Sequence, residues 1–246
     1  MHRGRWHVTL TDRVDDIVKA PTTYTDDSDP FTWWAPDPLD PGLTTHHVSP
    51  YSEIGDRAER FVYNTYRSKG YCAESAREWV EEVEPWRDRG VLHVISDGDE
   101  VLGVLRTIIG RFEDLPVSQF KQTVALRDGQ LLDGGSLAVK EDYRGVGLAS
   151  ELYRNWLDVG IREGAEGFCM LMDDGYVDVM HTFYALPTHP FAEREHYMGG
   201  DIEPLVVWID EMLEQMARLR PNLYRFATSG FTPEEIVKYD LPIILD

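Results

Sequence analysis

The chain has 246 residues, 42% of them hydrophobic, which is enough for the core of one large domain or two small ones. Its formal net charge of −20 argues against a nucleic acid partner, because a phosphate-binding surface needs a basic patch. No apolar run approaches the roughly 20 residues of a membrane span and the N-terminus lacks a signal-peptide core, so we expect a cytoplasmic protein with no membrane association.

The first 50 residues predict an irregular N-terminal extension, followed by one domain over residues 51–246. The stretch from Pro21 to Pro50 is rich in proline, which disfavours regular elements. Aromatic residues are unusual in a disordered linker. We therefore expect Phe31, Trp33 and Trp34 to pin this segment across the core or to cover a pocket. A surface arm that serves stability alone is the alternative.

Helical and strand signals follow in order. Ser52 is a predicted N-cap for an amphipathic helix that Gly70 stops, and a second helix is predicted from about Ala73 to Trp86. Alternating segments at 91–96 and 101–109 predict a hairpin.

The central stretch predicts a strand, a glycine turn, a helix and a second strand. The strand is Ser136–Val139, the helix has an apolar stripe from Leu148 to about Glu163, and Phe168–Met172 is the second strand. The turn brings together free N–H groups and the positive end of the helix dipole, and its glycines let the backbone come close to a ligand. Arg144 adds a cation. The sequence therefore predicts a pyrophosphate cradle.

Two other phosphate-binding motifs do not fit this turn. A Walker loop needs Lys and Ser or Thr after its last glycine, where this chain has Leu148 and Ala149. A dinucleotide fingerprint needs a third glycine, where this chain has Ser150.

The pattern Arg-x-x-Gly-x-Ala over Arg144–Ala149 resembles the coenzyme A pyrophosphate loop of the GNAT acyltransferase superfamily. The resemblance implies an α/β (α+β) fold with a mixed, mostly antiparallel sheet flanked by helices, here with an extra C-terminal helix. It implies a coenzyme A thioester as donor, acetyl-CoA or a longer acyl-CoA. The cofactor-binding residues that it implies are Leu137, Ala138, Val139, Arg144, Gly145, Val146, Gly147, Leu148 and Ala149.

A GNAT subgroup is also similar, the N-acyl amino acid synthases and acyl-homoserine-lactone synthases. The stretch from Phe61 to Tyr71 resembles their first helix and loop, and Arg106 stands where they tend to carry an arginine. That subgroup usually has a carboxylate before the central strand, and Asp133 is the nearest residue here.

Catalytic candidates come from the segment after the second strand. GNAT enzymes often place a Phe-Tyr pair near the cofactor sulfur, and Phe183-Tyr184 resembles it; a phenol there can protonate the departing thiolate. Packing or a hydrogen bond to the cofactor is the alternative role of Tyr184. Asp173 and His181 are candidate bases, with a helix cap or a surface position as the alternative. No histidine cluster has metal-ligand spacing, so no metal is predicted.

The C-terminal part predicts a long helix from Pro204 to Arg220, which covers the acceptor side, forms a homodimer face or packs as ordinary core. Thr232 and Pro233 open a short helix, and Leu241–Leu245 is a strand or tail. Cys72 and Cys169 are expected to be reduced packing residues.

The resemblance leaves three functions open. The first is acyl transfer, with acetyl-CoA as the favoured donor, to a primary amine of a small molecule or amino acid. The second is a long-chain synthase fed by an acyl-carrier protein or acyl-CoA, although the acidic chain disfavours docking of an acidic carrier. The third is a non-catalytic protein that binds acyl-CoA.

Overall fold

An eight-stranded, mostly antiparallel sheet forms the centre of the protein, which a computed structural model describes over residues 31–32 and 34–244. The expectation for Trp33 lies outside the described residues. The strands run in the order β1-β2-β3-β4-β5-β8-β6, with β7 paired to β8, and β4 and β5 are parallel. They are β1 (Thr44–Val48), β2 (Val91–Asp97), β3 (Glu100–Gly110), β4 (Leu131–Val139), β5 (Gly167–Met172), β6 (Thr188–Pro190), β7 (Glu195–Tyr197) and β8 (Gly200–Trp208).

Helices pack on both faces of this sheet. They are α1 (Glu53–Lys69), α2 (Leu148–Arg162), α3 (Asp174–Tyr184), α4 (Ile209–Leu219), α5 (Pro221–Ala227) and α6 (Pro233–Lys238). Val62 of α1 packs with Val94 and Val104, whereas Leu152 of α2 packs with Ile95 and Leu105. Because neighbouring strand residues point to opposite faces, α1 and α2 lie on opposite sides of the sheet.

The expected fold class is confirmed, and so are most of the local signals. Ser52 caps α1 by accepting a hydrogen bond from the Gly55 amide, and Gly70 ends the helix in the left-handed region at φ 75°. The predicted hairpin forms as β2 and β3. Thr232 and Glu235 form a reciprocal capping box at the start of α6.

Three segments differ from the sequence-based expectations. Residues 44–48 form strand β1 on β2, although no regular element was expected before Ser52. The predicted helix from Ala73 to Trp86 is wrong: a 3₁₀ helix, Glu81–Arg89, contains Pro85, which cannot donate a helical hydrogen bond. Within Pro204–Arg220, residues up to Trp208 belong to β8, because they pair with β5 and β6. The helix begins only at Ile209.

Phe31 and Trp34 pack against the core, which agrees with the expectation that the aromatic residues of this segment pin it there. Trp34 is buried, and its ring meets those of Phe183 and Tyr184 edge to face. Phe31 packs against Phe183 at a centroid distance of 4.4 Å. Both cysteines are buried and free. None of the helices over the described residues is long and apolar enough to cross a membrane.

Candidate active site

The parallel strands β4 and β5 separate after three residue pairs. Leu131–Asp133 pairs with Gly167–Cys169, and no further β4 residue pairs with β5. From Gly134 onward, β4 pairs with β3, while β5 continues beside β8 as far as Met172. The edge of β4 that faces β5 therefore carries backbone groups that lack a strand partner over the described residues.

A β-bulge in β4 lies at the same place. The register between β3 and β4 shifts between Val104 and Arg106, and Ser136 has a left-handed φ of 54°. A bulge of this kind bends the strand and redirects its side chains. Gly134 permits the bend to pack closely, because a Cβ there would lie 2.4 Å from the Trp156 ring.

A cavity of about 260 Å³ opens on the α1 side of the sheet, and we call it the α1-side cavity. Tyr66 and Tyr71 line it from α1 and the following loop, and Tyr197 and Met198 close another wall. Its floor is formed by the strands, through Arg106, Ile108, Asp133, Gly134, Gly135, Ser136, Leu137 and Leu171.

Asp133 places a buried carboxyl group in this cavity. The residue is 7% exposed, and its Oδ2 accepts a hydrogen bond from the Val117 amide at 3.2 Å. Burial raises the pKa of Asp133 to about 7, although the Val117 hydrogen bond and the nearby Arg106 charge lower it. A carboxyl group with this pKa exchanges a proton readily at neutral pH, as a general base must.

Arg106 places a buried cation in the same cavity. The residue is 4% exposed, and its Nη2 donates to Ser136 Oγ at 2.8 Å. Its Nε and Nη1 have no hydrogen-bond partner among the described residues. Burial lowers the pKa of the guanidinium, whereas Glu59, Tyr66 and Asp133 raise it.

A second cavity of about 60 Å³, the apolar cavity, lies on the opposite face of the sheet. Met170 and Met172 of β5 line it, whereas the alternating residues Leu171 and Asp173 line the α1-side cavity. β5 thus separates the two spaces. Further walls come from α2 to α5, through Ser150, Tyr153, Trp156, Met180, Tyr184, Met212, Met216 and Leu223.

Tyr184 reaches the wall of the apolar cavity from the end of α3. Its hydroxyl lies 2.9 Å from that of Ser150 in the first turn of α2. Burial raises the pKa of Tyr184, and the Ser150 hydrogen bond lowers it, so the phenol keeps its proton at neutral pH. The group can therefore serve as a proton donor.

The predicted glycine turn leads directly into α2. Gly145 and Gly147 have φ of 74° and 88°, and Gly147 is the N-cap of α2. Over the described residues, the amides of Val146 to Ala149 have no protein acceptor. The backbone carbonyl of Asp37 lies close by, 2.8 Å from the place where a Gly147 Cβ would stand.

The remaining candidates lie in different places. Asp173 lines the α1-side cavity, but its carboxylate also caps α3 by accepting from the Tyr176 amide. His181 is exposed, 2.6 Å from Thr188 Oγ1, and lines neither cavity. Leu137 lines the α1-side cavity, and its carbonyl accepts a hydrogen bond from Tyr66 at 3.4 Å. Ala138 and Val139 pair with β3.

Sequence reasoning did not predict that Asp133 and Arg106 line the same cavity, or that Ser150 lies beside Tyr184. A usable signal was present at the first site, since Asp133 is a charged residue inside an apolar strand next to two glycines. No group of three or more possible ligand side chains in the described part of the chain could hold a metal ion.

The family model described as Acetyltransferase (GNAT) family matches residues 60–185. No match is found among curated proteins. One similar solved structure is FeeM, an N-acyl amino acid synthase from uncultured soil microbes, with a TM-score of 0.54 and 14% identity over 70% of this chain and 94% of that one. The CoA-dependent acyl-homoserine lactone synthase BjaI, with SAM and isopentyl-CoA, has a TM-score of 0.56 and 13% identity over 76% and 99% of the two chains. The resemblance drawn from the Arg144–Ala149 loop is thereby confirmed.

Proposed function

The chain belongs to the acetyltransferase (GNAT) family, and we propose that it transfers an acyl group from a coenzyme A thioester to a primary amine. The observation that carries this proposal is the arrangement at the β4–β5 gap. A carboxyl group of pKa about 7, on Asp133, lies on one face of the sheet, and the phenol of Tyr184 lies on the other.

Residues of the glycine turn would hold the donor. The backbone amides of this turn lie at the N-terminus of α2, where the helix dipole is positive and pyrophosphate oxygens bind well. Arg144 adds a positive charge nearby. The unpaired edge of β4 from Gly134 to Val139 offers N–H and C=O groups to the amides of a pantetheine arm. An arm in this gap would bring its thioester between Asp133 and Tyr184.

The two groups supply the proton transfers that the reaction needs. Asp133 takes a proton from the acceptor ammonium, and the free amine then attacks the thioester carbon. As the C–N bond forms and the C–S bond breaks, Tyr184 protonates the departing thiolate. Asp133 fits the role of base better than Asp173 or His181, because Asp173 is held as a helix cap and His181 lies outside both cavities.

The apolar cavity favours an acyl chain longer than acetyl. Methionine and aromatic side chains surround it, and Tyr184 lies on its wall. Its volume of about 60 Å³ is roughly twice the 30 Å³ share of one water molecule in the liquid, which suits a short chain such as butanoyl. The charge of −20 makes a free acyl-CoA a better donor than an acidic carrier protein.

The test combines the protein with acetyl-, butanoyl- and octanoyl-CoA and a mixture of primary amines and amino acids. Free thiol is followed by absorbance and the N-acyl product by mass spectrometry. We expect thiol and amide in equal amounts, with butanoyl-CoA faster than acetyl-CoA. Acyl-CoA binding by calorimetry without turnover would support a non-catalytic binding protein, and no binding would overturn the proposal altogether.

A further inference from the structure

We infer that Trp34 is a positioning residue for Tyr184, and that its ring holds the phenol in the orientation from which it protonates the departing thiolate. This inference rests on the proposed function and adds a residue to the site. It is carried by the ring contacts of Trp34 and by the place of Tyr184 at the end of its helix.

Tyr184 lies at a point where its own helix gives it little support. It is the last residue of α3, and Ala185 follows with a left-handed φ of 51°. A non-glycine residue keeps such a backbone conformation only where its surroundings hold it. The side-chain amide of Gln215 donates to the Ala185 carbonyl at 2.8 Å. Contacts from outside α3 therefore help to fix the chain next to Tyr184.

The hydrogen bond to Ser150 does not fix the orientation of the phenol by itself. It sets the distance between the two hydroxyl oxygens at 2.9 Å. The hydrogen of a phenol lies close to the plane of the ring, so the ring plane determines the direction in which the proton leaves. The Cβ–Cγ torsion that sets this plane is intrinsically soft. Packing against the faces and edges of the ring must therefore determine it.

The Trp34 ring supplies such packing. It meets the Tyr184 ring edge to face, with centroids 5.6 Å apart and planes at 86°. Tyr153 makes a second contact of this kind, at 6.0 Å and 78°. Edge-to-face pairs favour a defined angle between the rings, because the positive edge of one ring meets the negative face of the other. Rotation of the Tyr184 ring would lose both contacts.

Trp34 is itself held at the end of α3. Its backbone N–H donates to the Phe31 carbonyl at 3.1 Å, and the Phe31 ring packs on Phe183 at 4.4 Å. The Trp34 ring also meets that of Phe183, at 6.1 Å. The match to the family model begins only at residue 60, so this support for Tyr184 comes from outside the part of the chain that the model describes.

The test is a double-mutant cycle on kcat, with butanoyl-CoA and the best acceptor from the amine mixture. Trp34→Leu should lower kcat about tenfold and change KM for butanoyl-CoA by less than about threefold, because the substitution misdirects a proton rather than removing a contact with the donor. In the Tyr184→Phe background, the same substitution should change kcat by less than about twofold, since no phenol proton remains to be directed. A merely structural role would lower kcat by the same factor in both backgrounds.

Two further variants separate orientation from general packing. Trp34→Phe keeps an aromatic edge and should recover about threefold of the kcat that Trp34→Leu loses. Phe231→Leu truncates a buried ring that packs against Tyr239 between α5 and α6, and it should leave kcat as it is. If Trp34→Leu does not fold, the same cycle with Trp34→Phe decides the question, with a smaller loss of kcat expected only where Tyr184 is present.

The possible failures are distinguishable. Equal losses of kcat in the two backgrounds, or no loss in a folded Trp34→Leu protein, would overturn the inference and leave the proposed function intact. Absence of turnover by the wild type with every acyl-CoA and amine would overturn the proposed function, and this inference with it.

Discussion

The hydroxyl groups of Tyr184 and Ser150 lie 2.9 Å apart at the wall of the apolar cavity. Ser150 belongs to the first turn of α2, three residues after Gly147, and Tyr184 is the last residue of α3. One buried hydrogen bond thus joins the proposed proton donor to the helix whose N-terminus is the proposed phosphate cradle. In the proposed mechanism, donor binding and proton delivery are linked through this helix.

Replacing Tyr184 by Phe should lower kcat by about two orders of magnitude, because the thiolate then leaves without its proton donor. Binding of the acyl-CoA, measured by calorimetry, should change much less. Tyr153→Phe is the matched control: Tyr153 lines the same cavity and bonds Tyr176 through its hydroxyl at 2.8 Å. Equal losses of kcat in the two variants would refute the assignment of Tyr184.

The rate should depend on pH through Asp133. A general base acts only when deprotonated, so kcat/KM should rise with pH and level off above an apparent pKa of about 7. Asp133→Asn should remove most of the activity and abolish the rise of kcat/KM with pH. Stopped assays over pH 5 to 9 check it. If kcat/KM of the Asn variant still rises with the same apparent pKa, a residue other than Asp133 is the base.

Stability should also depend on pH through Asp133, in the opposite direction to activity. Its folded pKa of about 7 exceeds the ordinary value of 3.8, so the folded state holds the proton longer than the unfolded state. Stability from this group is full below about pH 4 and is lost as pH rises through 7. Asp133→Asn should therefore be more stable than the wild type at pH 8, by on the order of 2 to 4 kcal/mol. Urea unfolding at pH 5 and pH 8 measures the difference in free energy of unfolding between the Asn variant and the wild type. A difference that is the same at both pH values would contradict the prediction.

Gly147→Ala should weaken both folding and donor binding. The residue has a φ of 88°, and the added Cβ would meet the Asp37 carbonyl at 2.8 Å. Strain of this kind costs roughly 1 to 3 kcal/mol. Gly164→Ala is the control, since Gly164 has a φ of 69° with open space around it and lies beyond the far end of the same helix. Only the Gly147 variant should lose affinity for acyl-CoA. If both variants bind acyl-CoA equally well, the glycine turn is not part of the donor site.

Reversing the charge of Arg144 should weaken donor binding at least tenfold, because Glu would then stand beside the pyrophosphate. Arg77→Glu reverses the charge of an exposed arginine that pairs with Glu84, away from the turn, and should have little effect. Calorimetry with coenzyme A measures both. An unchanged dissociation constant for Arg144→Glu would argue strongly against the cradle.

Local signals in the sequence were enough to predict the elements near the site. Ser52 and Gly70 bound α1 because a cap and a left-handed stop act over a few residues. The unit from β4 through the glycine turn to β5 was predictable because its periodicities change from strand to helix and back. The error at residues 204–208 arose because pairing with the distant strand β5 decided the conformation. At residues 73–86 the signal was local, because Pro85 disfavours a regular α-helix.

The sequence alone determined the glycine turn, the helix that follows it and the Phe-Tyr pair, because each lies within one short stretch. Only the tertiary structure decided that Asp133 and Arg106 share a cavity, and that Tyr184 lies across the sheet from them. The physical reason is long-range: the β3–β4 register with its bulge sets which side chains meet, and the early end of the β4–β5 ladder opens the gap between them.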